Sequence, residues 1–456
     1  MTTAVFGPGP PLAGRLRPPP DKSISHRASI LAAMGEAGVR VTGYLDAADT
    51  RSTLRAVAAL GAQVSELGPT EGVPGGVDLE IAGVGLRGAR GGTREEPLAI
   101  DVGNAGTLLR LLPGWLAGQP GGAWRLDGDE SIRRRPVDRV AGPLAEMGAE
   151  VVCREERLPP LVVRGAPLEG GTHTLSVASA QVKSCLLLAG LLASGPTTIV
   201  EPAPSRDHTE RMLRAAGVRV SSSDLRTLPG LGGPPERRIE IEPVERLDVR
   251  PIEVPGDLSS AAFFAVGAAI VPGSDVALEG TGVNPTRTGL LGILNRMGAP
   301  FRLEDERAAP GGEAAGTIAV RHGSLVSTRV GAAEVPLAID ELPLVALLGC
   351  FAEGETVVSG AEELRHKESD RIATVVDGLG GLGAEIEARD DGFAVRGTGR
   401  LRGGTIESHG DHRLAMLGAI AGLASEEGVE VRGLEAAAVS YPGFEADLAS
   451  LIEAPS

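Results

Sequence analysis

Six times along this chain a short polar cluster runs directly into an apolar stretch of small residues, and the interval barely changes. The clusters are Asp21-Lys22-Ser23-Ile24-Ser25-His26-Arg27, Asn104-Ala105-Gly106-Thr107, Ser179-Ala180-Gln181-Val182-Lys183-Ser184, Gly256-Asp257-Leu258-Ser259-Ser260, Ile339-Asp340-Glu341-Leu342-Pro343 and Gly410-Asp411-His412-Arg413. From Ser23 through Asn104, Ser179, Asp257 and Asp340 to Asp411 the spacings are 81, 75, 78, 83 and 71 residues. Self-similarity at a fixed period implies a repeated supersecondary unit, and about 75 residues is too long for a solenoid repeat but fits two helices with several strands. A second beat accompanies the first. Amphipathic helix patterns end at Gly61-Ala62, Gly148-Ala149, Gly217-Val218, Gly298-Ala299 and Gly383-Ala384, where glycine suits a helix C-cap before a strand. A sixth helix pattern, Gly443 to Ile452, closes the sequence.

At 456 residues the chain exceeds what one core holds, so six units divide as three plus three, with a boundary near Leu247 to Pro251. Residues 1 to 20, rich in Pro and Gly, lead into the first cluster as irregular chain or a single strand. Gly83 to Gly88 matches a dinucleotide fingerprint, but no helix pattern follows it, so the strand-turn-helix context is missing.

The clusters suit anions. Pro18 to Pro20 cannot propagate a helix, and Asp21 or Ser23 can cap one, which fixes a helix start there. The backbone dipole at such a start favours negative charge, and Lys22, Ser23 and Arg27 add donors suited to phosphate or carboxylate. In Arg133-Arg134-Arg135-Pro136, proline marks a further helix start, and Arg135, nearest that end, is the better ligand than its two solvated neighbours. Lys367 and Arg371 are expected at i and i+4 on one helix face, a like-charge pair that an intervening anion would relieve. Each cluster alone is also compatible with a solvated surface. Together, the anion-ready clusters point to one ligand site.

The net charge of -16 opposes a nucleic-acid or anionic-membrane partner, so an anionic small molecule would need a local basic pocket. No signal-peptide pattern opens the sequence, and the longest apolar runs fall short of the ~20 residues of a membrane span. Cys153, Cys185 and Cys350 are too few and scattered for a disulfide framework or zinc site, which fits a reducing cytoplasm. Without a His/Cys cage, no metal or cofactor is expected.

The motifs DKSISHR, GNAGT, RRRP, SAQVKS, IDELP, KESDR and GDHR, in this order from Asp21 to Arg413, resemble the 5-enolpyruvylshikimate-3-phosphate (EPSP) synthase family. Ser179 to Lys183, Arg206-Asp207-His208-Thr209-Glu210 and Asn284-Pro285-Thr286-Arg287 are similar to its class II members, although Pro20 stands where glycine usually precedes Asp-Lys. The resemblance implies an α/β fold, a two-lobed inside-out α/β barrel of six repeated βαβαββ units with helices inside and sheets outside. An N-terminal strand (1–20) would join the second lobe, with the first lobe at 21–248 and the second at 249–456.

It also implies the reaction: the carboxyvinyl group of phosphoenolpyruvate passes to the 5-hydroxyl of shikimate 3-phosphate and phosphate leaves. Asp340 would be the base and Glu368 the acid, with His412 bonding the departing phosphate or positioning Arg413. Lys22, Ser23, Arg27, Ser179, Ala180 (through its backbone), Gln181, Ser205, Arg206, Asp340 and Lys367 would hold shikimate 3-phosphate. Lys22, Gly106, Arg135, Gln181, Arg371 and Arg413 would hold phosphoenolpyruvate. Relatives suggest a monomer. One departure is Val439 before Ser440-Tyr441-Pro442, where many relatives carry lysine. The sister enzyme acting on a UDP-sugar carries a reactive cysteine in the loop matching Asp129 to Arg135, where this chain has none. Alternatives are a carboxyvinyl transferase using another acceptor alcohol and a non-catalytic anion-binding repeat protein. A Ser/His hydrolase would need a G-x-S-x-G elbow, which is missing.

Overall fold

The computed structural model describes residues 2–225 and 236–453. The repeat is plainest in the second unit. Strand Leu98–Asp101, helix Gly106–Ala117, strand Ala123–Asp127, helix Asp138–Glu146 and strands Glu150–Arg154 and Leu158–Arg164 follow one another. The first two strands pair in parallel across the first helix, the last two pair antiparallel, and Leu158–Arg164 sits between Ala123–Asp127 and Glu150–Arg154. The third unit, from Thr172, and the fifth, from Arg329, repeat this order and polarity.

The other three units borrow a strand. Ile252–Glu253 pairs in parallel with Val41–Thr42 of the first unit. Ala13–Leu16 pairs in parallel with Asp275–Leu278 of the fourth. Thr3–Phe6 completes the sixth by pairing antiparallel with Val429–Arg432. The N-terminal twenty residues therefore hold two strands rather than the one expected, because each of two incomplete sheets in the second lobe has an edge to satisfy. Where the chain crosses between lobes, the two passages lie side by side: Asp21 N–H donates to Pro255 O at 2.8 Å and Asp257 N–H to Pro19 O at 2.7 Å.

Each unit carries one largely buried helix, apolar beyond its opening turns, and one amphipathic helix. The apolar set is Lys22–Met34, Gly106–Ala117, Ala180–Gly190, Leu258–Ile270, Leu342–Phe351 and His412–Leu423. All thirteen residues of Leu258–Ile270 are buried, which a helix on a protein surface could not afford. Two hydrophobic cores result, one built from Ile24 to Val254 and one from Leu258 to Leu451 together with Leu12 and Leu16. Sheets wrap helices in both, the inside-out arrangement. The glycines that end the amphipathic helices, Gly61, Gly148, Gly217, Gly298 and Gly383, have φ of 106°, 111°, 79°, 80° and 94°. Only the left-handed region lets the chain leave the helix and turn at once into the next strand, and glycine adopts it without a Cβ clash. Among the described residues no helix is long and apolar enough to cross a membrane.

Candidate active site

All six apolar helices begin at one cleft of about 530 Å³ between the two cores, and its walls include residues from each helix start: Lys22 and Ser23, Gly106 and Thr107, Ala180 and Gln181, Asp257 and Ser259, Asp340, and His412 and Arg413. Six repeats thus aim six helix starts, each the positive end of its backbone dipole, at the same space. Ten lysine and arginine side chains line it against six carboxylates, so the cleft is locally cationic although the chain carries -16. Every expected substrate and catalytic residue lines it: Lys22, Ser23, Arg27, Gly106, Arg135, Ser179, Ala180, Gln181, Ser205, Arg206, Asp340, Lys367, Glu368, Arg371, His412 and Arg413.

The first lobe supplies a wall of donors. Asp21 caps its helix by accepting from Ile24 N–H at 2.8 Å, which leaves Lys22 and Ser23 in the opening turn and Arg27 one turn on. Arg27 is immobilised by Thr209 Oγ1 at 2.8 Å, Ser184 Oγ at 3.0 Å and Ser23 O at 2.9 Å. Burial lowers its pKa to about 10, still cationic at neutral pH. Lys22 pairs with Asp49 at 2.9 Å. Arg135 donates to Asn104 Oδ1 at 2.6 Å beside Gly106, where a Cβ would come within 2.8 Å of Arg135 Nη1. The glycine leaves that guanidinium its space. Arg133 and Arg134 pair instead with Asp127 and Glu130 at the surface. The helix after them begins at Asp138 rather than at Pro136, because Val137 N–H is taken by Arg157 O. Ser205 directs both its hydroxyl and its N–H to Glu201, at 2.6 and 3.2 Å, so donating to a ligand requires the hydroxyl to turn.

The second lobe supplies the carboxylates. Asp340, just ahead of the Leu342–Phe351 helix, lies 2.5 Å from Arg206 Nη2, 3.4 Å from Arg371, 3.5 Å from Arg287, 3.6 Å from Lys367 and 3.8 Å from Arg413. Burial would raise its pKa, but Lys367, Arg206, Arg413 and Arg287 outweigh burial and hold it well below the usual carboxylate range. Glu368 accepts from Arg371 Nη2 at 2.6 Å and faces Arg135 at 3.8 Å. Against its burial, the Arg371 and Arg135 guanidiniums likewise hold it well below the usual carboxylate range. His412 is driven down to about 3 by burial and by Lys22 and Arg413, so its imidazole is neutral. The Lys367 ammonium is lowered by burial while Asp340 works against that shift.

A further sequence expectation fails. Lys367 and Arg371 do not share a helix face, because Asp370 caps the helix Arg371–Gly381 by accepting from Ile372 and Ala373 N–H, both at 3.1 Å. Lys367 and Glu368 lie in the bend before it, and the two cations meet at Asp340 instead. Charged lining residues outside the expected set include Arg110, Asp49 and Arg287. Arg110 stands one turn beyond Gly106 and donates to Gln181 Oε1 at 3.2 Å, a neighbour that i+4 spacing could have signalled. Ion pairs cross from lobe to lobe at Arg206–Asp340, Arg135–Glu368 and Arg139–Glu363, so the lobes are closed over the cleft. Val439 leaves Ser440 at the wall. Among the described residues no His/Cys/Asp/Glu group could hold a metal.

The model of the EPSP synthase (3-phosphoshikimate 1-carboxyvinyltransferase) family matches residues 7–448. The 3-phosphoshikimate 1-carboxyvinyltransferase of Thermus thermophilus is 46% identical over 458 residues, covering 100% of both chains. That of Acidithiobacillus ferrooxidans is 46% identical over 98% of this chain and 97% of its own. The EPSP synthase structure from Acinetobacter baumannii superposes with a TM-score of 0.82 at 40% identity, covering 98% of each chain.

Proposed function

The chain belongs to the EPSP synthase (3-phosphoshikimate 1-carboxyvinyltransferase) family, and from that premise we propose how its cleft performs the reaction. The enzyme transfers the carboxyvinyl group of phosphoenolpyruvate to the 5-hydroxyl of shikimate 3-phosphate and releases phosphate. The single observation that carries the residue assignments is the cationic cleft where six helix starts meet, with two carboxylates inside it.

Shikimate 3-phosphate lies against Lys22, Ser23, Arg27, Ser179, Ala180, Gln181, Ser205, Arg206, Asp340 and Lys367. Phosphoenolpyruvate lies against Lys22, Gly106, Arg135, Gln181, Arg371 and Arg413. Asp340, ionised at neutral pH, accepts the proton of the 5-hydroxyl as its oxygen bonds to the donor's central carbon, and Glu368 gives a proton to the donor's methylene. The tetrahedral intermediate then expels phosphate, and the methyl proton lost in forming the new double bond returns to Glu368. Among these cations Glu368 is ionised, so it must gain a proton before it can act as the acid. The donor's carboxylate and phosphate neutralise Arg371 and Arg135, the groups that depress its pKa, and thereby lift it toward protonation. Neutral His412 offers the departing phosphate a hydrogen bond.

The lobes we propose are 21–248 and 249–456, with 1–20 joined to the second; the exchanged strand Ile252–Glu253 lies against the first. A cleft completed by one chain supports a monomer, and three free cysteines support a cytoplasmic location. The test is a phosphate-release assay with both substrates and with each omitted. Release that needs both is expected; release without shikimate 3-phosphate would point to a hydrolase and contradict the reading.

A further inference from the structure

Beside the crossing strands and the ion pairs over the cleft, a buried polar cluster also joins the two lobes. On the first lobe stand Asp207 and His208, opening the helix His208–Ala215. On the second stand Asn284, Thr286 and Glu313. All five are buried, from 1% exposed at Asn284 and His208 to 9% at Thr286. Asn284 Nδ2 donates to Asp207 Oδ1 at 2.7 Å and to Glu313 Oε2 at 3.1 Å. The Thr286 hydroxyl accepts from Asp207 N–H at 3.1 Å and lies 3.0 Å from Asp207 Oδ1. His208 Nδ1 meets Glu313 Oε1 at 2.8 Å.

Asp207 carries the point. It occupies the N-cap of its helix, where an aspartate ordinarily accepts from its own first-turn N–H groups, yet no side-chain cap bond is made. Its carboxylate is spent on the other lobe and on Arg211, which donates to it at 2.8 Å. Giving up a cap costs local helix stability, so the bonds across the lobe boundary are what the position serves.

The two clasped loops also share a target. Arg206, one residue before Asp207, and Arg287, one residue after Thr286, reach the same oxygen, Asp340 Oδ2, at 2.5 and 3.5 Å from opposite lobes. Arg287 is fixed in turn by Ser259 Oγ at 2.6 Å and Asp257 at 3.2 Å.

We propose that the Asp207–Asn284–Thr286 clasp, with His208–Glu313 behind it, is the positioning device of the acceptor site: it holds Arg206 and Arg287 in register on Asp340 whichever way the cleft's far edge moves. The inference rests on Arg206 as an acceptor-binding residue. None of the five clasp residues is assigned to touch either substrate; they act through Arg206.

The test uses the full-length enzyme and steady-state phosphate release. Asn284→Ala is expected to raise the KM for shikimate 3-phosphate roughly 3- to 10-fold, the loss of one or two hydrogen bonds, with the phosphoenolpyruvate KM and kcat within about twofold. Thr286→Val, which removes only the hydroxyl, should act in the same direction, and Thr286→Ser should restore wild-type values. Because the clasp acts through Arg206, adding Asn284→Ala to Arg206→Ala should raise the acceptor KM no further than Arg206→Ala does alone. If Arg206→Ala weakens the acceptor but Asn284→Ala and Thr286→Val do not, or if the effects multiply in the double variant, the clasp has no positioning role. If Arg206→Ala itself leaves acceptor KM unchanged, the substrate assignment falls and the clasp's role with it. A merely structural role would lower thermal stability and move both KM values together.

Discussion

Asp340→Asn is expected to lower kcat about 10²- to 10⁴-fold, the range over which a positioned acid or base contributes, while circular dichroism remains that of the folded enzyme. Asparagine fills the same volume and can still accept from Arg206, but it cannot take a proton from the acceptor's hydroxyl. Turnover within threefold of wild type, an interval well inside roughly 1 kcal/mol, would remove Asp340 from the mechanism. The same variant should shift stability with a definite sign. The ordinary aspartate value is 3.8, and Lys367, Arg206, Arg413 and Arg287 hold the folded value well below it despite burial. A depressed carboxylate contributes its stabilisation above the unfolded value and loses it as pH falls toward the folded one. The stability gap between wild type and Asp340→Asn should therefore be full near neutral pH and narrow on acidification below about pH 4.

Arg371→Ala is expected to destabilise the fold by about 3–5 kcal/mol, in addition to abolishing activity. Arg371 is 1% exposed, and its Nε donates to Asp411, itself wholly buried, at 2.9 Å. Asp411 in turn caps the helix His412–Leu423 by accepting from Arg413 N–H at 2.9 Å. Truncation removes the ion-pair partner of buried Asp411, takes from Glu368 the nearer of its two arginines, and loosens the helix start that carries His412 and Arg413. Denaturant unfolding measures the loss, and a change below roughly 1 kcal/mol, as expected of a surface ion pair, would contradict this.

Much of the architecture was legible because the repeat is written in local chemistry. Helix starts need caps and helix ends need left-handed glycine: Asp21, Ser179, Asp257 and Asp411 cap four of the six buried helices, and left-handed glycine follows five of the six amphipathic ones. Strand exchange was not legible. Ile252–Glu253 and Ala13–Leu16 are too short to carry a pattern, and their partners lie about 200 residues or more away, at Val41–Thr42 and Asp275–Leu278. At the cleft, the clusters that bear the chemistry announced themselves as charge at helix starts. The failures were of pairing. Lys367 and Arg371 have helical spacing, but the Asp370 cap breaks the helix between them. In sequence Arg287 is simply the end of the class II-like segment Asn284-Pro285-Thr286-Arg287, and only tertiary structure reveals that it stands among Asp21, Asp257, Asp340 and Glu341. Such a cluster needs its cation, since four carboxylates gathered at the hinge would otherwise repel one another.

The central claim is that cations from both lobes serve one donor site. It is tested most directly by comparing Arg135→Ala, in the first lobe, with Arg413→Ala, in the second, measuring phosphoenolpyruvate KM by phosphate release and shikimate 3-phosphate Kd by titration calorimetry. Both variants should raise the donor KM about 10- to 100-fold, the worth of a hydrogen bond between charged groups, and leave the acceptor Kd within about threefold of wild type. A loss confined to one lobe's variant, or an equal loss for donor and acceptor, would contradict it.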